Sequence, residues 1–182
     1  NCHEENEYGP FTGGVNCKLI KSAGAKYVIL GHSETRNIET NSLINKKIII
    51  ALKNKLKVIF CFGETLSEKK KNKTHTIIKN QIKECTKSVV NINNIIFAYE
   101  PRWSIGTGKI PKISELNKIF SHIKKTIISL KKKGKKKLIY GGSVNPSNIS
   151  DLINIKDSSG FLIGNASLSE KKFIDIIKKS TI

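Results

Sequence analysis

The sequence predicts an α/β fold built on a parallel sheet, and two patterns carry that prediction. Short apolar runs, rich in β-branched and aromatic residues, alternate with longer segments in which apolar residues recur every three or four positions. The runs are continuous rather than alternating, which is typical of parallel strands buried on both faces. No linker, repeat or low-complexity segment divides the 182 residues, so we expect one domain over residues 1–182.

Five strands and four helices are predicted to alternate along the chain. The strands are expected over Tyr27–Leu30, Val58–Phe62, Ile95–Tyr99, Leu138–Tyr140 and Phe161–Ile163. The helices are expected over Thr40–Lys53, Thr76–Val89, a segment beginning at Ser114, and Glu170–Lys178. In the third helix the apolar side chains fall on one face, as a helix packed on a sheet requires; they are Leu116, Ile119, Phe120 and Ile123.

Polar residues or glycines follow every predicted strand. In chain order they are Gly31-His32-Ser33-Glu34, Gly63-Glu64, Glu100, Gly141-Gly142-Ser143 and Gly164-Asn165. Functional residues lie at the carboxyl ends of strands in both barrels and doubly wound sheets. A barrel brings all five ends around one mouth, so this pattern favours a barrel; the periodicity alone leaves an open sheet as the alternative.

The formal net charge of +19 raises the question of nucleic-acid binding. Arg36 and Arg102 are the only arginines, so 31 of the 33 basic residues are lysines. Bidentate recognition of bases and phosphates favours arginine, and no aromatic residues interleave the lysine runs as stacking platforms. The charge therefore indicates a solvated surface, whose field would also attract a small anionic substrate.

Cysteine usage and hydropathy bear on the compartment. Cys2, Cys17, Cys61 and Cys85 form no CxxC pair and have no histidine at zinc-like spacing. No apolar run approaches the length of a membrane span, and no signal peptide pattern opens the sequence. We expect reduced thiols, no metal site and no membrane contact, in a cytoplasmic protein.

The segment from Ala98 to Lys109 carries the clearest chemical signal. An apolar run delivers one carboxylate, Glu100, into a loop that contains Pro101, Trp103, Gly106 and Gly108. A carboxylate at the end of a buried strand, beside a segment able to move, is how enzymes place a general base under a lid. The alternative, an ion-paired carboxylate at a strand end, accounts less well for the loop that follows.

The other strand ends leave alternatives open. His32 is either a structural histidine or an electrophile facing Glu100. Glu34 is either an orienting carboxylate or a solvated charge, and Glu64 is interpreted as structural, capping the segment that follows it. The turns at Gly141–Ser143 and at Gly164 are of the small-residue kind that binds phosphate in barrels.

Several motifs together resemble the triosephosphate isomerase family. They are Thr12-Gly13, Tyr27-Val-Ile-Leu-Gly-His-Ser-Glu34, Cys61-Phe-Gly-Glu-Thr65, Ala98-Tyr-Glu-Pro with Trp103-Ser-Ile-Gly-Thr-Gly-Lys109, Tyr140-Gly-Gly-Ser-Val144 and Phe161-Leu-Ile-Gly164 with Ala166-Ser-Leu168. The resemblance runs from Asn1 to the end of the chain. It implies a TIM (β/α)8 barrel and the interconversion of dihydroxyacetone phosphate and glyceraldehyde 3-phosphate in glycolysis and gluconeogenesis.

The resemblance also assigns roles. It makes Glu100 the base that moves a carbon-bound proton, His32 the neutral electrophile, Glu34 a third catalytic residue, and residues 101–109 the lid. The phosphate-binding residues would be Gly106, Ser143, Gly164 and Asn165. It implies a phosphorylated triose as substrate, no cofactor and no metal, and a homodimer in which the Thr12-Gly13 loop enters the other subunit.

Departures from the family pattern yield further expectations. Roughly the first two and a half β/α units, with the Asn-x-Lys motif whose lysine Glu34 would pair with, are expected to be missing, so the chain would be a fragment of a longer enzyme. Asn165 stands where a second glycine is usual, in a turn taken to need positive φ. Arg102 replaces an apolar hinge residue, and Pro111 offers Tyr140 no amide for a latch. The alternatives are an inactive, decayed isomerase and, less favoured, a basic nucleic-acid-binding protein.

Overall fold

The sheet consists of parallel strands that are neighbours in both sequence and space. The computed structural model of the chain describes Cys2, Pro10 and residues 12–181. Its strands are β1 (Tyr27–Leu30), β2 (Lys57–Phe62), β3 (Ile95–Tyr99) and β4 (Lys137–Tyr140), in the order β1-β2-β3-β4. All three pairings are parallel, so the predicted α/β class is confirmed.

Helices make the connections between these strands. They are α1 (Cys17–Ser22), α2 (Asn41–Lys53), α3 (Leu66–Lys70), α4 (Thr74–Cys85), α5 (Ile113–Ser129), α6 (Ile149–Leu152) and α7 (Glu170–Ser180), with a 3-10 turn at Asn165–Leu168. A doubly wound sheet reverses its strand order at a switch point. The strands described here run in unbroken order, which is the arrangement of a TIM barrel wall.

One face of the sheet is closed by helices and the other is open in the described part of the chain. On the closed face lie five buried rings in mutual contact, from Phe60, Phe62, Phe97, Tyr99 and Tyr140. The ring of Phe120 in α5 packs edge-on against Tyr99, which fixes this as the helix side. Buried isoleucines of α2 and α4 extend the same core.

The expectation that every strand is buried on both faces was wrong for part of the opposite face, although Cys61 and Ala98 on that face are buried. Ile29 is exposed and Ile59, Ile96 and Ile139 are half-buried, whereas the residues beside them in the strands are buried. No element among the described residues packs over these isoleucines. Apolar composition therefore predicted the strands correctly, but it did not indicate which face of the sheet is covered by other elements in this part of the chain.

The predicted fifth strand at Phe161–Ile163 was also wrong in extent. It is a single parallel bridge between Tyr140 and Phe161, with Tyr140 N donating to Gly160 O at 3.1 Å and Leu162 N to Tyr140 O at 2.9 Å. In the described part of the chain the pairing of this segment is limited to that bridge.

The helix predictions need correction in two respects, the end of α4 and the number of short helices. The helix predicted over Thr76–Val89 is α4, which ends at Cys85 because Thr86 turns its hydroxyl onto Ile82 O at 2.7 Å. Three short helices, α1, α3 and α6, were not predicted, since each is too short to show a period. The four cysteines are free thiols, all buried. No helix among the described residues is long and apolar enough to cross a membrane.

Candidate active site

A cleft of about 790 Å³ opens at the carboxyl ends of the strands. All seven residues predicted to be catalytic or phosphate-binding line it: His32, Glu34, Glu100, Gly106, Ser143, Gly164 and Asn165. They come from the ends of β1, β3 and β4, from the segment after the Phe161 bridge and from the lid loop, so the parallel order of the sheet is what brings them together.

Two glycines on the neighbouring strands make room for Glu100. Its backbone N–H extends the sheet by donating to Phe62 O at 2.8 Å. A Cβ at Gly63 would lie 2.0 Å from Glu100 O, and a Cβ at Gly141 would lie 2.8 Å from Glu100 Cγ. Both distances are far below van der Waals contact, so a side chain at Gly63 would displace the backbone of Glu100 and one at Gly141 would displace its carboxylate. Sequence reasoning treated Gly141 only as part of a phosphate turn and gave Gly63 no role.

The carboxylate of Glu100 is buried and incompletely paired. Its residue is 2% exposed, and Oε2 has no hydrogen-bond partner among the described residues. Burial raises the pKa of Glu100 above its usual value, and the His32 ring, the Cys61 thiol and the Ser33 backbone partly oppose that shift. A desolvated carboxylate with a spare oxygen is a stronger base than one in water.

His32 faces Glu100 across the cleft. Its Nε2 lies 3.6 Å from Glu100 Oε1, too far for a direct hydrogen bond. Its Nδ1 lies 3.7 Å from Glu34 Oε2 on the other side of the ring. The side chain of Glu34 is 83% exposed, so in the described part of the chain it is a solvated carboxylate next to the imidazole.

An arginine holds the strand end that carries His32. Arg36 donates from Nε to Gly31 O at 3.0 Å and from Nη2 to Cys61 O at 3.0 Å, joining the ends of β1 and β2. Gly31 has φ of 71°, and a Cβ there would lie 2.8 Å from Cys61 O. Sequence reasoning counted Arg36 only as a charge. Its being one of two arginines in the sequence was the only signal that could have drawn attention to it. The atoms that it binds are determined by the fold and cannot be read from the sequence around it.

One end of the lid loop is anchored by a buried carboxylate. Glu64 is fully buried and accepts hydrogen bonds from Trp103 Nε1 at 2.9 Å and from Tyr99 Oη at 3.1 Å. Burial raises the pKa of Tyr99 well above its usual value, so its hydroxyl stays a donor. Glu64 does not cap the next helix, as had been expected; Thr65 does, in a capping box with Glu68.

The other end of the lid is held by hydroxyl groups. Ser143 Oγ donates to Ser104 O and accepts from Gly108 N at 3.2 Å. Ser104 Oγ donates to Lys109 O at 2.5 Å and lies 3.4 Å from Tyr140 Oη. Tyr140 thus contacts the lid at Ser104 rather than at position 111, where proline has no N–H.

Arg102 is turned away from the base. Its Nη2 donates to Asn37 Oδ1 at 2.5 Å, and its backbone N–H donates to Glu64 O at 3.0 Å. The guanidinium of Arg102 is therefore bound to a neutral amide of another loop.

The second glycine turn differs from what was expected. Asn165 opens the 3-10 turn Asn165–Leu168 and is not among the residues with positive φ, so the argument that asparagine tolerates positive φ was unnecessary. Gly164 precedes it, and Ser167 N and Oγ both donate to Gly164 O at 2.8 Å. Thr12 and Gly13, the predicted dimer loop, form an exposed turn that does not line the cleft.

Comparisons with known proteins agree with this geometry. A family model described as triosephosphate isomerase matches residues 1–180. The triosephosphate isomerase of Thermoanaerobacter pseudethanolicus is 42% identical over 178 residues, which cover 94% of this chain and 72% of that protein. That of Mycoplasma mobile is 42% identical over 98% of this chain and 72% of its own length. That of Coprinopsis cinerea is 43% identical over 94% of this chain and 70% of its own length. The chain therefore belongs to the triosephosphate isomerase family and is an isomerase.

Proposed function

We propose that the chain interconverts dihydroxyacetone phosphate and glyceraldehyde 3-phosphate, the aldose–ketose step of glycolysis and gluconeogenesis. One observation carries the proposal: Glu100 is buried with an unpaired oxygen, 3.6 Å from the imidazole of His32, on the wall of the cleft. The gap between the two groups is where the reacting carbons of a small substrate would lie. Relatives named triosephosphate isomerase support the same reaction.

The proton transfer follows from these two groups. The carboxylate of Glu100 removes a proton from the carbon beside the carbonyl, and the electron pair moves onto the carbonyl oxygen. His32 Nε2 donates a hydrogen bond to that oxygen and stabilises the enediolate. The proton of the adjacent hydroxyl group passes to the former carbonyl oxygen by way of His32, and the electron pair it leaves forms the new carbonyl. The protonated Glu100 returns its proton to the carbon that bore the old carbonyl, so no atom is gained or lost. The substrate's own carbonyl accepts the electrons, and the proposal needs no cofactor.

The phosphate is proposed to bind at the lid side of the cleft. Backbone N–H groups of Gly106, Ser143, Gly164 and Asn165 would donate to its oxygens, since all four residues line the cleft. Ser143 has φ of 24°, an uncommon value for a residue with a side chain. Strain of this kind is typical of sites where the backbone itself binds a ligand.

The lid is proposed to keep water from the enediolate. An exposed enediolate expels its phosphate group, so the reaction needs a covered site. Trp103 on Glu64 fixes one end of the loop, while Ser143 holds the other through Gly108. Glu34 is proposed as a positioning residue whose backbone N–H donates to His32 Nδ1 at 3.5 Å, which leaves the proton of the neutral ring on Nε2.

We further propose that the protein is a cytoplasmic homodimer. The exposed turn at Thr12-Gly13 supports an intersubunit loop, and four free buried thiols suit a reducing compartment. Sedimentation analysis tests the dimer: a purely monomeric protein at micromolar concentration would contradict it.

The experiment that tests the reaction is a coupled assay of the wild type against Glu100→Asp. Shortening the side chain by one methylene withdraws the base from the carbon, so kcat is expected to fall by about 100-fold or more. The control is Glu170→Asp, the same change at an exposed first-turn residue of α7, which should leave kcat unaltered. An inactive wild type, or equal rates in wild type and Glu100→Asp, would refute the proposal.

A further inference from the structure

The cleft contains a cation that no motif predicted. Lys172, the third residue of α7, lines the cleft together with Gly164, Asn165 and Ala166. Its backbone N–H donates to the helix cap, Ser169 Oγ, at 3.5 Å. Because α7 packs against the 3-10 turn Asn165–Leu168, this lysine is held at the end of the cleft that the second glycine turn forms.

The charges around the cleft make this lysine significant. The other ionisable side chains among its described lining residues are His32, Glu34 and Glu100. Two of these are carboxylates, which repel a dianionic phosphate as it enters. Lys172 is thus the one side chain with a permanent positive charge in the described lining.

The position of this lysine is not explained by helix stability. A helix N-terminus carries partial positive charge, so a cation in the first turn is disfavoured there by a few tenths of a kcal/mol. The ammonium of Lys172 has no ion-pair partner in the described part of the chain, whereas Lys179 on the same helix is paired with Asp175 at 3.0 Å. A cation that is unfavourable at the helix start, yet lines the cleft beside a turn proposed to bind phosphate, is placed for direct contact with that anion.

We propose that Lys172 is a substrate-binding residue whose ammonium pairs with the phosphate of the triose phosphate at the Gly164–Asn165 turn. The inference rests on the proposed function for the identity of the substrate. It adds to the backbone N–H groups a side-chain cation that also draws the dianion into the cleft. Because phosphate binding persists from substrate to enediolate, the contact is made equally in both states and affects KM rather than kcat.

The first measurement compares steady-state kinetics of Lys172→Gln, Lys172→Arg and the control Lys171→Gln. Lys171 is the adjacent first-turn lysine, exposed and outside the cleft lining, so its removal lowers net charge by the same amount. Lys172→Gln is expected to raise KM about fivefold with kcat unchanged, the scale of one partly exposed charge-assisted contact. Lys172→Arg should restore most of the affinity, and the salt dependence of kcat/KM should weaken in Lys172→Gln alone.

The second measurement is independent of catalysis. Calorimetric titration with glycerol 3-phosphate, which has the phosphate but no carbonyl, should show about fivefold weaker binding in Lys172→Gln than in Lys171→Gln. Equal affinities for the two variants would overturn the inference, because the loss would then be a general effect of net charge. Lys172-dependent binding without isomerase activity in the wild type would refute the proposed function and leave this inference standing. Isomerase activity with an unchanged KM in Lys172→Gln would do the reverse.

Discussion

The two glycine turns of the cleft differ sharply in how tightly the protein encloses them. In the first turn, a Cβ at Gly141 would lie 2.8 Å from Glu100 Cγ, and a Cβ at Gly142 would lie 2.4 Å from Tyr140 Oη. In the second turn, a Cβ at Gly164 would have no neighbour within 4 Å among the described residues. One turn is packed against the base and the lid, and the other faces open space.

The two turns are therefore under different steric constraints. The first turn has to be small because the fold needs the room for Glu100, Tyr140 and Ser104. The second turn has free space around it, so its composition can change without disturbing the base. The asparagine at position 165 and the lysine at position 172 both lie at this open end.

Gly141→Ala should cause the largest loss of kcat, because it changes the tightly enclosed first turn. The added methyl group must displace Glu100 Cγ, and a misplacement of about 1 Å of a catalytic group costs about 100-fold in rate. We expect kcat to fall by at least that factor while the far-ultraviolet circular dichroism stays that of the wild type. A folded variant with wild-type kcat would show that the turn does not control the position of the base.

Ser143→Ala tests the contact between the first turn and the lid. The change keeps the backbone N–H of position 143 but removes the hydroxyl that binds Ser104 O and Gly108 N. We expect kcat/KM to fall about fivefold because the lid loses hydrogen bonding that contributes about 1 kcal/mol. The control is Ser129→Ala, which deletes a hydroxyl bonded to Thr126 O far from the cleft. Equal kcat/KM in the two variants would remove the lid role from Ser143.

The pH profile sharpens the comparison at the base. Burial raises the pKa of Glu100, so kcat/KM should fall on the acid side at a pH above the ordinary glutamate value of 4.5. In the folded state this group binds its proton more tightly than in the unfolded state. Its contribution to stability is therefore full below 4.5 and is lost as pH rises through the folded pKa. An acid limb at or below 4.5 in the profile of kcat/KM would contradict the burial argument.

Asn165→Gly should have the smallest effect. Asn165 is exposed and its side chain makes no hydrogen bond that the described contacts record, so removing it changes the open turn little. We expect KM to stay within about threefold and the free energy of unfolding to fall by about 0.5–1 kcal/mol through backbone entropy. Equilibrium denaturation and the coupled assay measure the two quantities. A KM change above tenfold would mean that the second turn is as constrained as the first.

Sequence reasoning correctly predicted those features of this protein that local sequence patterns encode. The apolar runs predicted β1 to β4, and the residues after the predicted strands and in the lid loop predicted seven residues of the cleft, but not Lys172. Gly63 and Arg36 were missed because their importance lies in the atoms they meet across the sheet, 37 and 25 positions away in Glu100 and Cys61. The strand predicted at Phe161 was wrong in extent because its pairing with β4 is a single bridge, and the apolar run does not encode how far a pairing extends.

Trp103 has a consequence beyond anchoring the loop. It is the only tryptophan in the 182 residues, and its indole N–H is hydrogen-bonded to Glu64 while the ammonium of Lys69 lies 4.0 Å from its ring centroid. Indole emission responds to both a lost hydrogen bond and a displaced charge. The intrinsic fluorescence of the protein is therefore a label-free signal from the base of the lid, uncontaminated by any second indole, and lid motion can be timed in the unmodified chain.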